Sequence, residues 1–384
     1  MTDPLASSPS NGVAPHYLLA LGLVLGAAAA CSKSEPEKRP TPAPSTAASA
    51  SPPAAAAPTL PALPPLPAAP KSLGPMKAVA NNPTTPAKAR LGQQLFFDPA
   101  LSVDGTRSCY SCHQNEDGTG GHEPTAIGAK NTPLPRHSPT LWNVGYLPKL
   151  YWDGRANSLE DQAKAAWAGG NMGVGQDNLA AKAEEIGDKP EYKALFAAVF
   201  PGMGATPDTV VQAIAAYERT LFCGDTALDR HVAGDTTALN DEQKAGLDLF
   251  IGKAGCHSCH TPPFFSDSYL MEDGSYHNVG VGLRGKDASA VDVGRQKVSE
   301  NPSEWAAFKT PPLRNITRSA PYLHDGSLSK LEDVVRFMAG GGFPNPAIDP
   351  KMVNKNLSDD EVKKLVAFLG SLECSGSLQP PTPL

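Results

Sequence analysis

Two short stretches decide the fold: CYSCH at residues 109–113 and CHSCH at residues 256–260. In each Cys-x-x-Cys-His motif, two thiols can add to the vinyl groups of a haem while the adjacent imidazole binds its iron. A zinc site would accept the cysteine pairs without requiring the histidines, and a redox disulfide would need a thioredoxin-like setting that is absent here. The motifs therefore predict two covalently bound c-type haems. The attachment cysteines are Cys109, Cys112, Cys256 and Cys259, and the proximal iron ligands are His113 and His260.

The segments in front of the two motifs resemble each other. ARLGQQLFF at residues 89–97 and KAGLDLFIGKAG at residues 244–255 both place Leu and Phe at helical spacing before a short loop. This similarity predicts an internal duplication built from helical units.

Two further helices have clear start signals. Residues 206–222 begin with a Thr that can cap the helix and a Pro at its first position. Residues 358–373 open with Ser358 and Glu361, which form a capping-box pattern.

Long Gly/Pro-rich connections separate these helices, and loops of that length usually carry function or surround a cofactor. They span residues 114–140 and 261–313. No convincing strand alternation is present, so we expect a mainly α protein with two cytochrome-c-like haem domains and long loops. We place the N-terminal haem domain at residues 77–235 and the C-terminal one at residues 236–384.

The first residues read as an export signal and a tether. An apolar run at residues 17–30 has the length of a signal-peptide core and ends at Cys31. We expect residues 1–31 to be a lipoprotein signal with Cys31 as the lipidated residue, although ordinary secretion with a free Cys31 stays open. Residues 32–76, rich in Pro and Ala, predict a disordered tether. The expected location is the periplasm, with the membrane reached through the lipid anchor alone.

The charge and the remaining cysteines limit the partners and the covalent framework. The 33 basic and 39 acidic residues give a net charge of −6, which argues against nucleic acid and would allow attraction to a basic protein. Beyond the motifs and Cys31, the pair Cys223 and Cys374 remains. In an oxidising compartment these two form either a disulfide or two separate thiols, and the sequence does not decide between them.

Three segments carry a resemblance to a known family. They are LGQQLFFDPALSVDGTRSCYSCH, SPTLWNVGYLPKLYWDGRANSLEDQA and FKTPPLRNITRSAPYLHDGSLSKLEDVVRFM, which begin at residues 91, 138 and 308. They resemble the bacterial di-haem cytochrome c peroxidases, a family that includes the MauG-type enzymes. The resemblance runs in order from Val79 to Leu372.

The resemblance implies different roles for the two haems. The haem on His113 would be the peroxidatic one, and the haem on His260 would receive electrons. Met338 stands at the family's second axial position for the electron-entry haem, where MauG-type members have Tyr. Trp152 matches the Trp that couples the haems, and Gln162 matches a distal-pocket residue. Without the resemblance, Met338 and Trp152 would be interpreted as core side chains.

Two departures concern the distal side of the first haem. Many family members carry a His that caps the resting iron, and here that position is Ala129, so we expect an open first haem unless His122 or His137 substitutes. The family's distal Glu position falls at Asn171 or Met172, neither of which can shuttle a proton. Glu123 or His122 could replace the acid if their loop covers the distal face.

A third departure concerns calcium. The family's Ca²⁺ site takes two backbone carbonyls, here from Ser319 and Pro321, and an Asn side chain, here replaced by His137. An imidazole is a poor ligand for this hard cation, which places the calcium site in doubt.

These expectations define two functions. The first is a di-haem peroxidase that reduces H₂O₂ to water with electrons from a small cytochrome c or cupredoxin; the family resemblance also allows a homodimer. The alternative is a di-haem electron-transfer or haem-sensing protein that has lost its catalytic carboxylate. A MauG-like oxidation of a partner protein is a third option, and Met338 counts against it.

Overall fold

A computed structural model describes residues 63–287 and 290–382 of the chain. The predicted signal peptide, Cys31 and most of the predicted tether lie outside these residues. The described part is mainly α, as predicted. The helices are α1 Pro86–Phe97, α2 Leu159–Ala168, α3 Leu179–Gly187, α4 Pro190–Val199, α5 Pro207–Glu218, α6 Ala227–Val232, α7 Asp241–Ile251, α8 Gln296–Ser299, α9 Leu331–Ala339 and α10 Asp359–Gly370.

Strand structure in the described residues is limited to one short antiparallel pair and a few isolated bridges. β1 Tyr276–His277 pairs with β2 Phe308–Lys309 inside the long second loop. Both Cys-x-x-Cys stretches form single 3₁₀ turns, Cys109–Ser111 and Cys256–Ser258. The chain therefore uses regular helices as scaffold and irregular backbone around the motifs.

The predicted helix starts are confirmed. Thr206 caps α5 through its side chain, with Pro207 at the first position, and Ser358 and Glu361 form the capping box of α10. α5 ends at Glu218, four residues before the end of the predicted segment 206–222.

The two lead-in helices pack in the same way. α1 crosses α5, and Gly92 at the crossing allows the two backbones to meet, since an added Cβ would collide with the carbonyl of Ala213. α7 crosses α10, and Gly246 faces the carbonyl of Lys364 in the same manner. Glycine permits this close approach because it has no side chain. The repeated contact supports the predicted duplication.

Each half has its own apolar cluster. One cluster is built from buried residues between 91 and 214, and the other from residues between 228 and 372. All described residues nevertheless belong to one compact unit. The domain boundary near residue 235 stays a prediction.

A disulfide ties the end of the chain to the first half. Cys223 and Cys374 are bonded, with their Cα atoms 5.3 Å apart, which answers the question that the sequence left open. Downstream of Cys374, the backbone of Leu378 makes two hydrogen bonds with the Asn115 side chain, at 2.9 and 2.6 Å. The C-terminal segment 374–382 therefore packs beside the first motif.

Contact between the N-terminal region and the body begins before residue 77. Leu73 is buried, and the Tyr146 hydroxyl donates to the carbonyl of Gly74 at 2.9 Å. Across residues 63–287 and 290–382, no helix has the length and apolar character needed to span a membrane.

Candidate functional site

One cavity of about 1270 Å³ contains both motifs on its wall. This volume exceeds the roughly 300–1,000 Å³ of an ordinary ligand pocket. The residues that the sequence predicts to bind or couple the haems or to bind calcium line it, whereas Ala129, His122 and Glu123 do not. The predicted site residues on its wall are Cys109, Cys112, His113, Trp152, Gln162, Cys256, Cys259, His260, Ser319, Pro321 and Met338. The structure thus brings these residues together, while the role of each stays a prediction.

The two motif histidines are oriented alike. His113 donates from Nδ1 to the carbonyl of Thr119 at 2.9 Å, and His260 donates from Nδ1 to the carbonyl of Phe265 at 2.9 Å. Each Nε2 is thereby left to bind a metal, because a hydrogen bond at one ring nitrogen fixes the tautomer. Burial lowers the pKa of both imidazoles, to about 4 for His113, so both are neutral as iron ligation requires.

The surroundings fit two c-type haems. The four motif cysteines are free thiols at the cavity wall. Lys309 is buried at the same wall, and its ammonium group makes no hydrogen bond or ion pair within the described part of the chain. Burial lowers the Lys309 pKa to about 8. A haem propionate beside this ammonium would supply the missing counter-charge.

Trp152 lies at the centre of a hydrogen-bonded and aromatic cluster. Its indole Nε1 donates to the carbonyl of His137 at 2.8 Å, and its own carbonyl accepts from the Lys309 N–H at 2.8 Å. The His324 ring meets Trp152 edge-on at 6.3 Å and stacks on Phe308 at 3.7 Å. These contacts fix the indole between elements of both halves of the chain.

An ion-pair network holds the same region. The Arg136 guanidinium pairs with Asp153 and Asp292, each at 2.7 Å, and all three carboxylate or guanidinium groups are largely removed from solvent. Arg136 therefore joins Asp153, the residue directly after Trp152, to Asp292 in the long second loop. The Arg136–Asp292 pair is bidentate, which gives it a defined geometry unlike that of single surface ion pairs.

The distal segment of the first site follows α2. Gln162 lies on α2, and Asn171 and Met172 follow it; all three line the cavity. The Ala129 N–H donates to the carbonyl of Asn171 at 3.0 Å, and Ala129 is buried. Ala129 therefore adjoins the segment that contains Asn171 but does not itself line the cavity, and its place at the capping position stays a prediction.

His122, Glu123 and His137 are the residues that could substitute for the capping ligand or the distal acid. The side chain of His122 is 60% exposed and contacts the carboxylates of Asp117 and Glu123, and neither His122 nor Glu123 lines the main cavity. His137 does line it, but an added Cβ on Gly120 would lie 3.8 Å from its Nε2. Gly120 adjoins the Thr119 carbonyl that orients His113, so His137 lies on the proximal side. Of the three, the main cavity is therefore lined by His137 alone, and the role of each stays a prediction.

The residues expected across the cavity from His260 differ from those expected across from His113. Met338 lies on α9, whose apolar side also brings Leu331, Val334 and Val335 to the cavity. The thioether can therefore face a haem bound at His260, and its role as axial ligand stays a prediction.

The calcium residues do not fit the cation. Ser319, Pro321 and His137 do share the cavity wall. The His137 Nδ1 donates to the carbonyl of Glu123 at 2.9 Å, so this side chain offers a ring nitrogen rather than the amide oxygen that the resemblance led us to expect. A hard cation prefers oxygen ligands, and we assign no role to calcium.

Sequence reasoning missed one buried acid. Glu218, the last residue of α5, is 5% exposed and lines the cavity, and its Oε2 has no hydrogen-bond partner among the described residues. Burial raises its pKa to about 8. A carboxylic acid in the middle of the apolar pattern AAYERTLF was the signal that could have found it.

The comparisons with known proteins agree with this site. Residues 86–237 match the family model described as di-haem cytochrome c peroxidase. The chain is 37% identical over 299 residues to the methylamine utilization protein MauG of Methylorubrum extorquens, covering 76% of this chain and 80% of that protein. It is 36% identical over 330 residues to the cytochrome-c peroxidase IdrP1 of Denitromonas iodatirespirans, covering 80% and 87% respectively.

A solved structure agrees over nearly its whole length. The chain superposes on a MauG-like protein associated with microbial copper homeostasis with a TM-score of 0.75 and 29% identity, covering 81% of this chain and 96% of that one. The fold and the site define a di-haem c-type cytochrome of the oxidoreductase class. The chain belongs to the di-haem cytochrome c peroxidase family, as its sequence motifs predicted.

Proposed function

We propose that the protein is a peroxidase that reduces H₂O₂ to water at the first motif, with electrons that a small redox protein delivers at the second. The observation that carries this proposal is the single cavity whose wall includes both motifs and Trp152. When bound, the haems would supply electron transfer and, at an open iron, a place for peroxide to bind.

In this function, individual residues of the chain have different roles. His113 and His260 hold the two irons from the proximal side, each with its ring oriented by a backbone carbonyl. Met338 closes the second site, which suits it to electron transfer rather than to ligand binding. Ala129 leaves the first site without a capping ligand. Trp152 provides an aromatic connection between the two, held by the His137 carbonyl.

The alternative function is electron transfer or haem sensing without peroxide cleavage. Asn171 and Met172 at the distal wall favour it, because neither can move a proton between the two peroxide oxygens. His122 and Glu123, the candidate replacements, lie outside the main cavity. We rank the peroxidase first because the capping position is vacant.

The proposed setting is outside the cytoplasm. Covalent haem attachment, the Cys223–Cys374 disulfide and the apolar run before Cys31 all suit an oxidising, exported environment. We propose a periplasmic protein with a lipid anchor at Cys31, with a small cytochrome c or cupredoxin as donor.

The test follows electrons through the reduced holoprotein. Mixed with H₂O₂ in a stopped-flow instrument, a peroxidase oxidises both haems and consumes one peroxide per two electrons. Trp152→Phe should slow oxidation of the second haem on the order of tenfold, about 1.4 kcal/mol of activation free energy. Trp142→Phe is the matched control, since Trp142 is buried but does not line the cavity. Peroxide that leaves both haems reduced would establish the alternative function instead.

A further inference from the structure

Glu218 is a buried acid on the cavity wall that binds no other side chain in the described residues. It is the last residue of α5 and is 5% exposed. Its Oε2 has no hydrogen-bond partner within residues 63–287 and 290–382. Buried polar atoms without a partner are rare in native folds, and each one calls for an explanation such as a catalytic role or a bound group.

Glu218 belongs to the part of the cavity that surrounds the first motif. Ile214, one turn earlier on α5, also lines the cavity and belongs to the buried cluster that contains Trp167 and Met172. Burial raises the pKa of the Cys109 thiol, and the charge of the Glu218 carboxylate raises it further. The acid therefore lies beside the first motif, on the same wall as the predicted distal segment.

Arg219 and Glu160 are the charged groups that act on Glu218, and they act in opposite directions. Arg219 binds Glu160 on α2 with two hydrogen bonds, at 2.7 and 2.8 Å, and forms no ion pair with Glu218. Burial is the largest influence and raises the Glu218 pKa to about 8, while Arg219 lowers it and Glu160 raises it. The side chain is therefore a neutral acid that carries a proton at neutral pH.

The other elements packed against α5 supply no counter-ion for Glu218. Its charge adds to the effect of burial on two neighbouring groups, the Cys109 thiol and the Tyr217 hydroxyl, and raises the pKa of each. Lys88 on α1 lies near the ion pair of α2 with α5. α3 contributes apolar side chains to the core that it shares with α5, namely Leu179, Ala183 and Ile186.

Glu218 also differs from the other acids on the described cavity wall. Those four bind a basic side chain or a backbone N–H, and they are Asp153, Asp292, Asp325 and Asp349. A carboxylate held by a basic partner keeps its charge and has no proton to give at neutral pH. On the described wall, Glu218 alone is an acid that is both buried and unpartnered.

We propose that Glu218 is the proton donor for peroxide at the first site. Reduction of one H₂O₂ breaks its O–O bond, takes two electrons from the redox partner and two protons, and yields two water molecules. Glu218 gives one proton to the departing oxygen as the bond breaks. Its carboxylate then recovers a proton from solvent, which also supplies the second one. The inference rests on the proposed peroxidase function and provides the proton that Asn171 and Met172 cannot move.

Infrared spectroscopy of the oxidised holoprotein tests, without peroxide, whether Glu218 holds a proton. The carbonyl stretch of a protonated carboxyl group should be present at neutral pH, shift in D₂O and disappear as pH rises through about 8. Glu218→Gln should lose this band, and Glu191→Gln, at an exposed position of α4, should keep it. A difference spectrum between the unmodified protein and Glu218→Gln that lacks the band would overturn the proposal.

The rate of a single turnover tests the use of that proton. The reduced holoprotein is mixed with H₂O₂, and oxidation of the haems is followed as a function of pH. The rate in the unmodified protein and in Glu191→Gln should fall as pH rises through about 8. Glu218→Gln should be slower on the order of 10²-fold at neutral pH, with no such dependence. Equal rates in Glu218→Gln and the unmodified protein would exclude Glu218 as the donor and leave the peroxidase function standing.

Rescue by a small acid separates proton supply from support of the fold. Glu218→Ala leaves room beside the cavity, so formic acid should restore part of its rate in proportion to concentration. The same acid should not accelerate Glu218→Gln, in which the space is filled. A slow Glu218→Ala that formic acid leaves slow would show a structural role and contradict the proposal.

The unmodified protein alone decides the matter if the variants lose their haem spectra. A single-turnover rate that stays constant as pH rises through about 8 would then refute the donor role. An unmodified protein that shows the carboxyl band but leaves H₂O₂ intact would refute the proposed peroxidase, and this role of Glu218 would fall with it.

Discussion

The two Cys-x-x-Cys-His motifs share a helix–turn frame and differ in everything around it. Behind each cysteine pair, the histidine is oriented by a carbonyl at 2.9 Å. All of Met338, Gln162, Asn171 and Met172 line the cavity; we expect Met338 opposite the second motif and the other three opposite the first. Haem function depends on this opposite side, so a duplicated frame supports one closed relay and one open site.

The two motifs also differ in exposure to solvent, and in this respect the second motif is the open one. Tyr110, within the first motif, is half-buried and packs on Phe97 at 4.7 Å, beside the C-terminal segment. In the second motif, His257 and Ser258 are exposed. The site that we expect to bind a small molecule is thus shielded from proteins, and the site that we expect to receive electrons is open to them.

The largest effect is expected from placing a carboxylic acid at the predicted distal position, where Asn171 and Met172 now stand. Met172→Glu should raise the rate of peroxide consumption by roughly 10²–10⁴, the usual contribution of a positioned acid–base group. Steady-state assays with excess reductant measure the rate. Met172→Gln, which has the same shape without the proton, should give no gain, and an equal gain in both variants would contradict the argument. Asn171→Glu tests whether the acid belongs one position earlier.

The next test gives the first haem a second axial ligand, as we expect the second haem to have. Ala129→His should place an imidazole beside Asn171 and convert the first haem from high spin to low spin in the oxidised holoprotein. Peroxide should then react only after reduction. An unchanged visible spectrum would show that residue 129 does not face the iron and that the loop alignment is wrong.

The covering of the first motif depends on the disulfide. Cys374→Ser removes a crosslink between residues separated by 151 positions, and native disulfides of small domains typically contribute about 2–5 kcal/mol. We expect a lower Tm by calorimetry and a rate of reduction by dithionite that rises more for the first haem than for the second. Equal changes at both haems would contradict a local role for the C-terminal segment.

The smallest expected effect is a pH dependence from Glu218. Its pKa rises from the ordinary 4.5 to about 8 on folding, so its contribution to stability is complete below 4.5 and is lost as pH rises through 8. Glu218→Gln cannot ionise, and its Tm should therefore gain on the unmodified protein between pH 5 and pH 9. Exposed Glu191→Gln should show no such trend; a parallel trend would mean that Glu218 is not buried as a neutral acid.

Local signals in the sequence were sufficient for the frame of the molecule. Capping residues such as Thr206 and Ser358 correctly predicted helix starts, and the motif spacing predicts the haem sites, because both depend on neighbouring residues. The burial of Glu218 and the pairing of Cys223 with Cys374 depend on contacts across distant segments. Those contacts become visible only once the chain is folded.

The asymmetry of the two sites is the central claim, and electron paramagnetic resonance of the oxidised holoprotein tests it most directly. We predict one high-spin signal from the first haem and one low-spin signal from the second. Cyanide should convert the high-spin signal and leave the low-spin one unchanged. Two low-spin signals, both indifferent to cyanide, would contradict the account.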